Sequence, residues 1–358
     1  MPQYKNPLHF GLAVGIDRYP ALGHLQHARA DARAFHAWLT DPDGGSVPPD
    51  NCRLIVAADK EMPPEATQDQ AVPIADLLHD ALLLLEKLAD AALEKRPDLW
   101  GEARLYYYVS GHGLAVDPRD AALLMANAGR PRLMGRHVSC ARVLDYFLRL
   151  QTFHELVIFA DCCRDRDAGA PWMPLPFNPI IGAQKGEVVT AVCLATLFGE
   201  KSFEPEKADG RRGFFTDALL KGLRGEFARP DEPIDSNNLA AFVRQRVRAL
   251  TQTDDFTEPQ TPVFQCDAAR PVLFRPPLAR AAEVAYRVAL TFQGYTGGVQ
   301  LRGGDRKPIA QQAVAPGAAW VLSLPGGLYK VEPLAAGAAP FRGNGLFEVI
   351  GEDSHVDF

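Results

Sequence analysis

The stretch "YYYVSGHG", Tyr106 to Gly113, starts as aromatic and apolar residues and ends in a histidine held between two glycines. Extended upstream to "ARLYYYV" (103–109), it shows no polar alternation, the mark of a strand covered on both faces and so of a parallel sheet. Four other runs share that character: "FGLAVGI" (10–16), "CRLIVAA" (52–58), "LVIFAD" (156–161) and "VVTAVCLA" (188–195). Helical spacing fills the intervals. "ADARAFHAWL" (30–39) sets Ala32, Phe35, Trp38 and Leu39 on one side, 74–93 and 139–150 repeat the spacing, and helices are predicted near 214–224 and 236–250. Strands alternating with helices predict an α/β fold: an open, mostly parallel sheet with helices on both faces.

From about residue 277 the character changes. Helical periodicity stops, Gly and Pro become frequent, and short β-prone pieces follow: 285–292, 297–301, 318–324, 327–334 and 346–350, with Pro325-Gly-Gly327 as a turn signal. Two domains are therefore expected, 1–276 and a small antiparallel β-sandwich over 277–358. The second holds no cysteine and only His355, so it reads as an accessory module without chemistry of its own.

Composition limits the functions worth considering. At 358 residues, 47% hydrophobic and 23% charged, the chain is long enough to bury a core without staples. A net charge of -6 and the lack of a dense Lys/Arg stripe argue against nucleic acid as a partner. Six cysteines, two of them the adjacent Cys162 and Cys163, do not make a disulfide framework, and a reducing cytoplasm is the expected compartment. The most leucine-rich run, "ALLLLEKLADAAL" (81–93), is broken by Glu86, Lys87 and Asp90, so no membrane span is expected. Metal-ligand spacing is absent too. His24, His27 and His36 lie on or before the first helix without cysteine partners and are expected on a solvated face. No motif calls for a cofactor: there is no P-loop, and no Gly-rich turn leads from a strand into a helix.

In an open parallel sheet, reactive groups gather beyond the carboxyl ends of the strands. His112 stands three residues past Val109, and "LVIFAD" runs straight into Cys162, Cys163 and Arg164. If these strands are neighbours, the imidazole faces a thiol of the cysteine pair, the pairing that yields a usable thiolate at neutral pH. Gly111 and Gly113 then let a substrate backbone approach closely, and the Gly113 N–H is placed to hold an oxyanion.

The sequence resembles the caspase-like cysteine peptidases, and the metacaspase and paracaspase side more than the caspases proper. The resemblance rests on "GLAVGIDRYPALGHLQHARADARAF" (11–35), "YYYVSGHG", "VIFADCCRD" (157–165) and "AVCLATLFGEKSFEPEKADGRRGFFTDALLKGL" (191–223), and covers roughly residues 8 to 275. A gap of 51 residues from His112 to Cys163 agrees with the roughly 50 of a caspase-type His and Cys. It implies Cys163 as nucleophile, His112 as acid and base, and the backbone N–H groups of Gly113 and Cys163 as the oxyanion hole. Cys162 is left as a buried bystander. It also implies an acidic specificity pocket made of Asp31, Asp161 and the Ser110 hydroxyl, which would take Arg, then Lys, from a protein substrate. The bland alternatives are a helix-start carboxylate for Asp31 and a strand-end cap for Asp161.

Departures from the family pattern are as informative. Arg164 and Asp165 stand where metacaspases place His, Ser and Gly after the cysteine, which leaves the turn after the nucleophile open. The Pro-rich segment 164–187 is expected to be an exposed active-site loop, and its Arg164, Arg166 and Lys185, with Arg211-Arg212, are candidate sites of self-processing; an upstream protein or protease could also activate the chain. The alternative function is an inactive caspase-like scaffold that binds through its C-terminal β domain.

Overall fold

Every residue of the tyrosine run is buried, as a strand packed on both faces must be. The computed structural model describes residues 4–56, 66–115, 117–129, 136–166, 185–204, 212–229, 231–252, 258–276, 285–304, 307–325, 327–335, 341–350 and 353–358. The chain divides into two units, Met1–Pro277 and Leu278–Phe358.

In the first unit the elements run β1 (His9–Gly15), α1 (Ala28–Thr40), β2 (Cys52–Val56), α2 (Ala75–Lys95), β3 (Arg104–Gly111), β4 (Gly113–Ala115), β5 (Ala122–Leu124), β6 (His137–Ser139), α3 (Cys140–Leu150), β7 (Glu155–Cys162), β8 (Asp165–Arg166), β9 (Val189–Leu194), α4 (Phe214–Arg224), β10 (Ile234–Asp235), α5 (Ser236–Thr251), β11 (Val263–Cys266) and β12 (Leu273–Arg275). The main sheet has the order β11-β9-β7-β3-β1-β2, parallel throughout except for β11, which pairs with β9 antiparallel. Residues 57 and 58 of the second expected strand lie outside the described residues.

The pleat explains why the tyrosine run does not alternate in polarity. Tyr107 and Val109 face one core with Leu78, Leu82 and Leu85 of α2 and Val143 and Phe147 of α3. Tyr106 and Tyr108 face the other, with Phe35 and Trp38 of α1, Leu219 of α4 and Val243 of α5. Phe35 stacks on Tyr108 with ring centroids 4.5 Å apart, which seats α1 over the sheet beside the end of β3. Local chemistry sets the helix ends: the Ser139 hydroxyl accepts from the Arg142 N–H at the start of α3, and Asp235 forms a capping box with Asn238 at the start of α5. α4 stops at Gly225, whose φ of 87° only glycine takes readily.

The second unit holds β13 (Ala285–Thr291), β14 (Gly297–Gly303), β15 (Pro308–Val314), β16 (Ala319–Pro325), β17 (Gly327–Pro333), β18 (Leu346–Val349) and β19 (Ser354–Asp357). They form two sheets, β16-β13-β19 and β15-β14-β17-β18, around one core that includes Val288, Leu290, Leu301, Trp320 and Val331. Two strands depart from the sequence reading: β15 is too polar to signal itself, and β19 pairs with β13 in parallel, so the unit is not purely antiparallel.

Candidate active site

The last pairs of β3 and β7 are Ser110 with Asp161 and Gly111 with Cys162. Just beyond them both strands leave the main sheet, β3 through His112 into β4 and β7 through Cys163 and Arg164 into β8, and β4 and β8 pair again in a second small sheet, β6-β5-β4-β8. His112 and Cys163 thus occupy the two bends where neighbouring strands cross from one sheet to the other. Both line one cleft together with Asp31, Ser110 and Asp161. Gly113 is glycine because of that crossing. A Cβ there would lie 2.5 Å from the Cys163 carbonyl oxygen and 2.8 Å from the Cys162 sulfur.

His112 Nε2 lies 2.6 Å from the Gly23 carbonyl oxygen. A carbonyl can only accept, so Nε2 carries the hydrogen, and in the neutral ring Nδ1 keeps the lone pair of a base. The Cys163 thiol is partly buried and donates to the Ser202 carbonyl at 3.7 Å. Burial pushes that thiol up to about 11, so it is protonated at neutral pH in this arrangement. Cys162 is fully buried against the core, and burial drives its thiol well above the ordinary range.

The two carboxylates converge. A Cβ placed on Gly213 would lie 3.0 Å from Asp161 Oδ2 and 3.0 Å from Asp31 Oδ2. Asp161 is well served: the Ser202 hydroxyl donates to Oδ1 at 2.7 Å and the Thr216 hydroxyl to Oδ2 at 2.6 Å, with Tyr108 at 2.5 Å behind Thr216. Asp31 is not. Its Oδ2 accepts the Gly213 N–H at 3.2 Å, while its buried Oδ1 has no hydrogen-bond partner among the described residues. Burial first, and then the Asp161 charge, hold the Asp31 carboxyl well above the usual range; burial likewise raises Asp161. A third acid lines the same cleft. The Glu204 carboxylate accepts the backbone N–H groups of Gln26 at 3.1 Å and His27 at 3.2 Å, at the N-terminus of α1.

Sequence reading missed Ser202, Glu204, Gly213 and Thr216, and also Gln260. Gln260 is buried, accepts the Phe203 N–H at 2.9 Å and donates to the Ser202 hydroxyl at 3.2 Å, so it holds the segment that roofs the cleft. Two expectations are overturned. Arg164 is buried, not exposed in a loop: its guanidinium donates to the carbonyls of Asp120 at 2.9 Å, Thr196 at 2.9 Å and Pro118, because three carbonyls need a donor there. His27 is buried rather than solvated, since it sits under Glu204 at the start of α1. Residues 167–184 and Arg211 lie outside the described residues, as does the side chain of Arg166. Among the described residues no helix is long and apolar enough to cross a membrane, and no group of three metal-ligating side chains occurs.

No family model matches the chain. It is 30% identical over 233 residues to a probable protease of a Desulfuromonadales bacterium, a match covering 60% of this chain and 26% of that protein. The chain therefore spans about a quarter of the length of the curated relative it matches. Among solved structures it is similar to caspase-1 from Spodoptera frugiperda, at a TM-score of 0.48 and 15% identity over 78% of this chain and 96% of that one. It is also similar to a protein from Geobacter sulfurreducens, at a TM-score of 0.44 and 14% identity over 76% of this chain and 99% of that one.

Proposed function

We propose that the chain is a caspase-like cysteine endopeptidase that cuts proteins after basic residues, Arg before Lys. His112 Nδ1 takes the Cys163 proton as the sulfur attacks the scissile carbonyl, and the backbone N–H groups of Gly113 and Cys163 hold the oxyanion. The imidazolium then gives its proton to the departing amine. Water, deprotonated by the same nitrogen, releases the acyl group from sulfur. No metal or organic cofactor has a step in this scheme.

One observation carries the specificity: the buried Asp31 oxygen that has no hydrogen-bond partner among the described residues, beside Asp161 and Glu204, in the cleft that holds His112 and Cys163. A guanidinium can donate to that oxygen and balance the acids around it, whereas an Asp or Glu side chain would add a further negative charge. The cleft encloses only about 40 Å³ and the thiol is engaged by Ser202, which fits a resting form that opens on activation. Among the cuts considered for self-processing, burial removes Arg164, while Lys185 is exposed and Arg212 half-buried.

Short fluorogenic peptides ending in Arg, Lys or Asp, assayed before and after limited proteolysis with Cys163→Ala as control, test the reading. Turnover after Arg and Lys that Cys163→Ala abolishes is the expected result. Turnover only after Asp would overturn the pocket assignment, and no turnover in any state would favour a non-catalytic scaffold.

A further inference from the structure

The buried phenol of Tyr19 is not among the described groups facing the cleft, yet its oxygen is hydrogen-bonded directly to the main chain of His112. Its hydroxyl donates to the Leu124 carbonyl at 3.1 Å, which commits the phenolic hydrogen. The same oxygen accepts the His112 backbone N–H at 3.0 Å. Leu124 completes the clamp by donating its own N–H to the His112 carbonyl at 2.8 Å. The Tyr19 ring lies 4.7 Å from the imidazole at 60°. Gly111 reports how close this approach is, because a Cβ there would sit 2.6 Å from the Tyr19 oxygen. The glycine before the histidine makes room for the tyrosine.

Tyr19 also begins the turn that carries the Gly23 carbonyl. Its N–H donates to His24 Nδ1 at 3.1 Å and its carbonyl accepts from the Leu22 N–H at 3.2 Å, so the turn is closed on both sides of the residue whose oxygen takes the His112 Nε2 hydrogen.

We infer that Tyr19 is a positioning residue for His112: it holds the main chain of the histidine through its hydroxyl and anchors the turn whose carbonyl selects the tautomer with a free Nδ1. This rests on the proposed role of His112 as the base. An ordinary core tyrosine needs its hydroxyl satisfied by one neighbour; here a phenylalanine would leave a histidine N–H and a strand carbonyl without their partner. Small errors in the placement of a catalytic group are costly, so the effect belongs in turnover rather than in binding.

Tyr19→Phe keeps the ring and removes the two hydroxyl bonds. The expected outcome is a fall in kcat of roughly 10- to 100-fold on an Arg peptide with KM within about twofold of wild type. Nitrogen NMR of the His112 ring should show the Nε2–H form in wild type and a mixture of tautomers in the variant. The NMR readout is independent of turnover, so a chain without Cys163-dependent hydrolysis would sink the peptidase reading while leaving the tyrosine testable. A Tyr19→Phe protein that melts lower but keeps wild-type kcat and an unchanged His112 spectrum would reduce Tyr19 to a core residue and overturn the inference. Should Tyr19→Phe fail to fold, His24→Ala carries the test: it unlocks the turn from an exposed position and should give the same tautomer mixing with a smaller loss of kcat, and an unchanged spectrum counts against the proposal.

Discussion

At the scale of single residues, burial pushes the acids and the thiol of the cleft the same way, toward their neutral forms. Cys163, raised from 9.0 to about 11 by burial, is a neutral thiol through the physiological range, so its reactivity toward a small alkylating agent should climb with pH up to about 11 rather than level off near neutrality. Alkylation rates followed by mass spectrometry check this; a plateau near pH 7 would mean a preformed ion pair with His112. Asp31 carries the reverse sign of linkage to a salt-bridged carboxylate. Its folded pKa lies above its unfolded one, so the folded state holds the proton more tightly and loses stability as pH rises above the ordinary Asp value of 3.8. Asp31→Asn should therefore melt higher than wild type, by a margin that widens as pH rises above 3.8, while cleavage after Arg falls by about 100-fold or more. A margin that does not change with pH would place the proton elsewhere. That His112, Cys163, Asp31 and Asp161 meet in one cleft was legible because each ends or follows a recognisable strand or lies in the first turn of a helix. Glu204 and Gln260 were not, since they sit in stretches without periodicity and act through contacts 177 and 57 residues away in the chain.

At the scale of elements, the long strands declare themselves by unbroken apolar runs and the helices by spacing, whereas β4, β5, β6 and β8, two or three residues each, exist only through pairing with one another. That second sheet is what bends the main strands at His112 and Cys163, so the feature that makes the site is the one local sequence signals least. Arg164 ties it down. Its guanidinium binds the turn before β5 and the segment after β9, its own N–H donates to the Glu200 carbonyl at 2.9 Å, and its carbonyl accepts the Gly199 N–H at 2.9 Å. Arg164 is therefore a buried cross-brace between the turn before β5 and the segment after β9. Arg164→Ala would orphan three carbonyls at once, several times the about 1–3 kcal/mol that one unsatisfied buried acceptor costs. The expected result is a protein that is insoluble or melts far below wild type. Arg164→Lys, a point charge that cannot reach three diverging acceptors, should recover solubility but not full turnover. Wild-type melting and activity in Arg164→Ala would show that the brace is dispensable.

At the scale of the whole molecule, the two units differ in how they are built and in what they contain. The first has two large cores on either side of the main sheet, reaching from Leu8 to Val272, and the described residues that line the cleft. The second has a separate core of its own between Val288 and Val349. Apolar burial drives folding locally within each core. A chain ended at Pro277 should accordingly keep the cooperative melt of the first unit and retain Cys163-dependent hydrolysis of short Arg peptides with kcat/KM within about threefold of the full chain. The separate stretch Leu278–Phe358 is small enough to be marginal alone and should melt at lower temperature. If the second unit delivers protein targets, the shortened chain will lose activity on folded proteins while keeping it on peptides. Loss of peptide turnover on removal of the second unit, in a protein that still melts cooperatively, would instead make that unit part of the catalytic machinery and would overturn the assignment of all chemistry to the first.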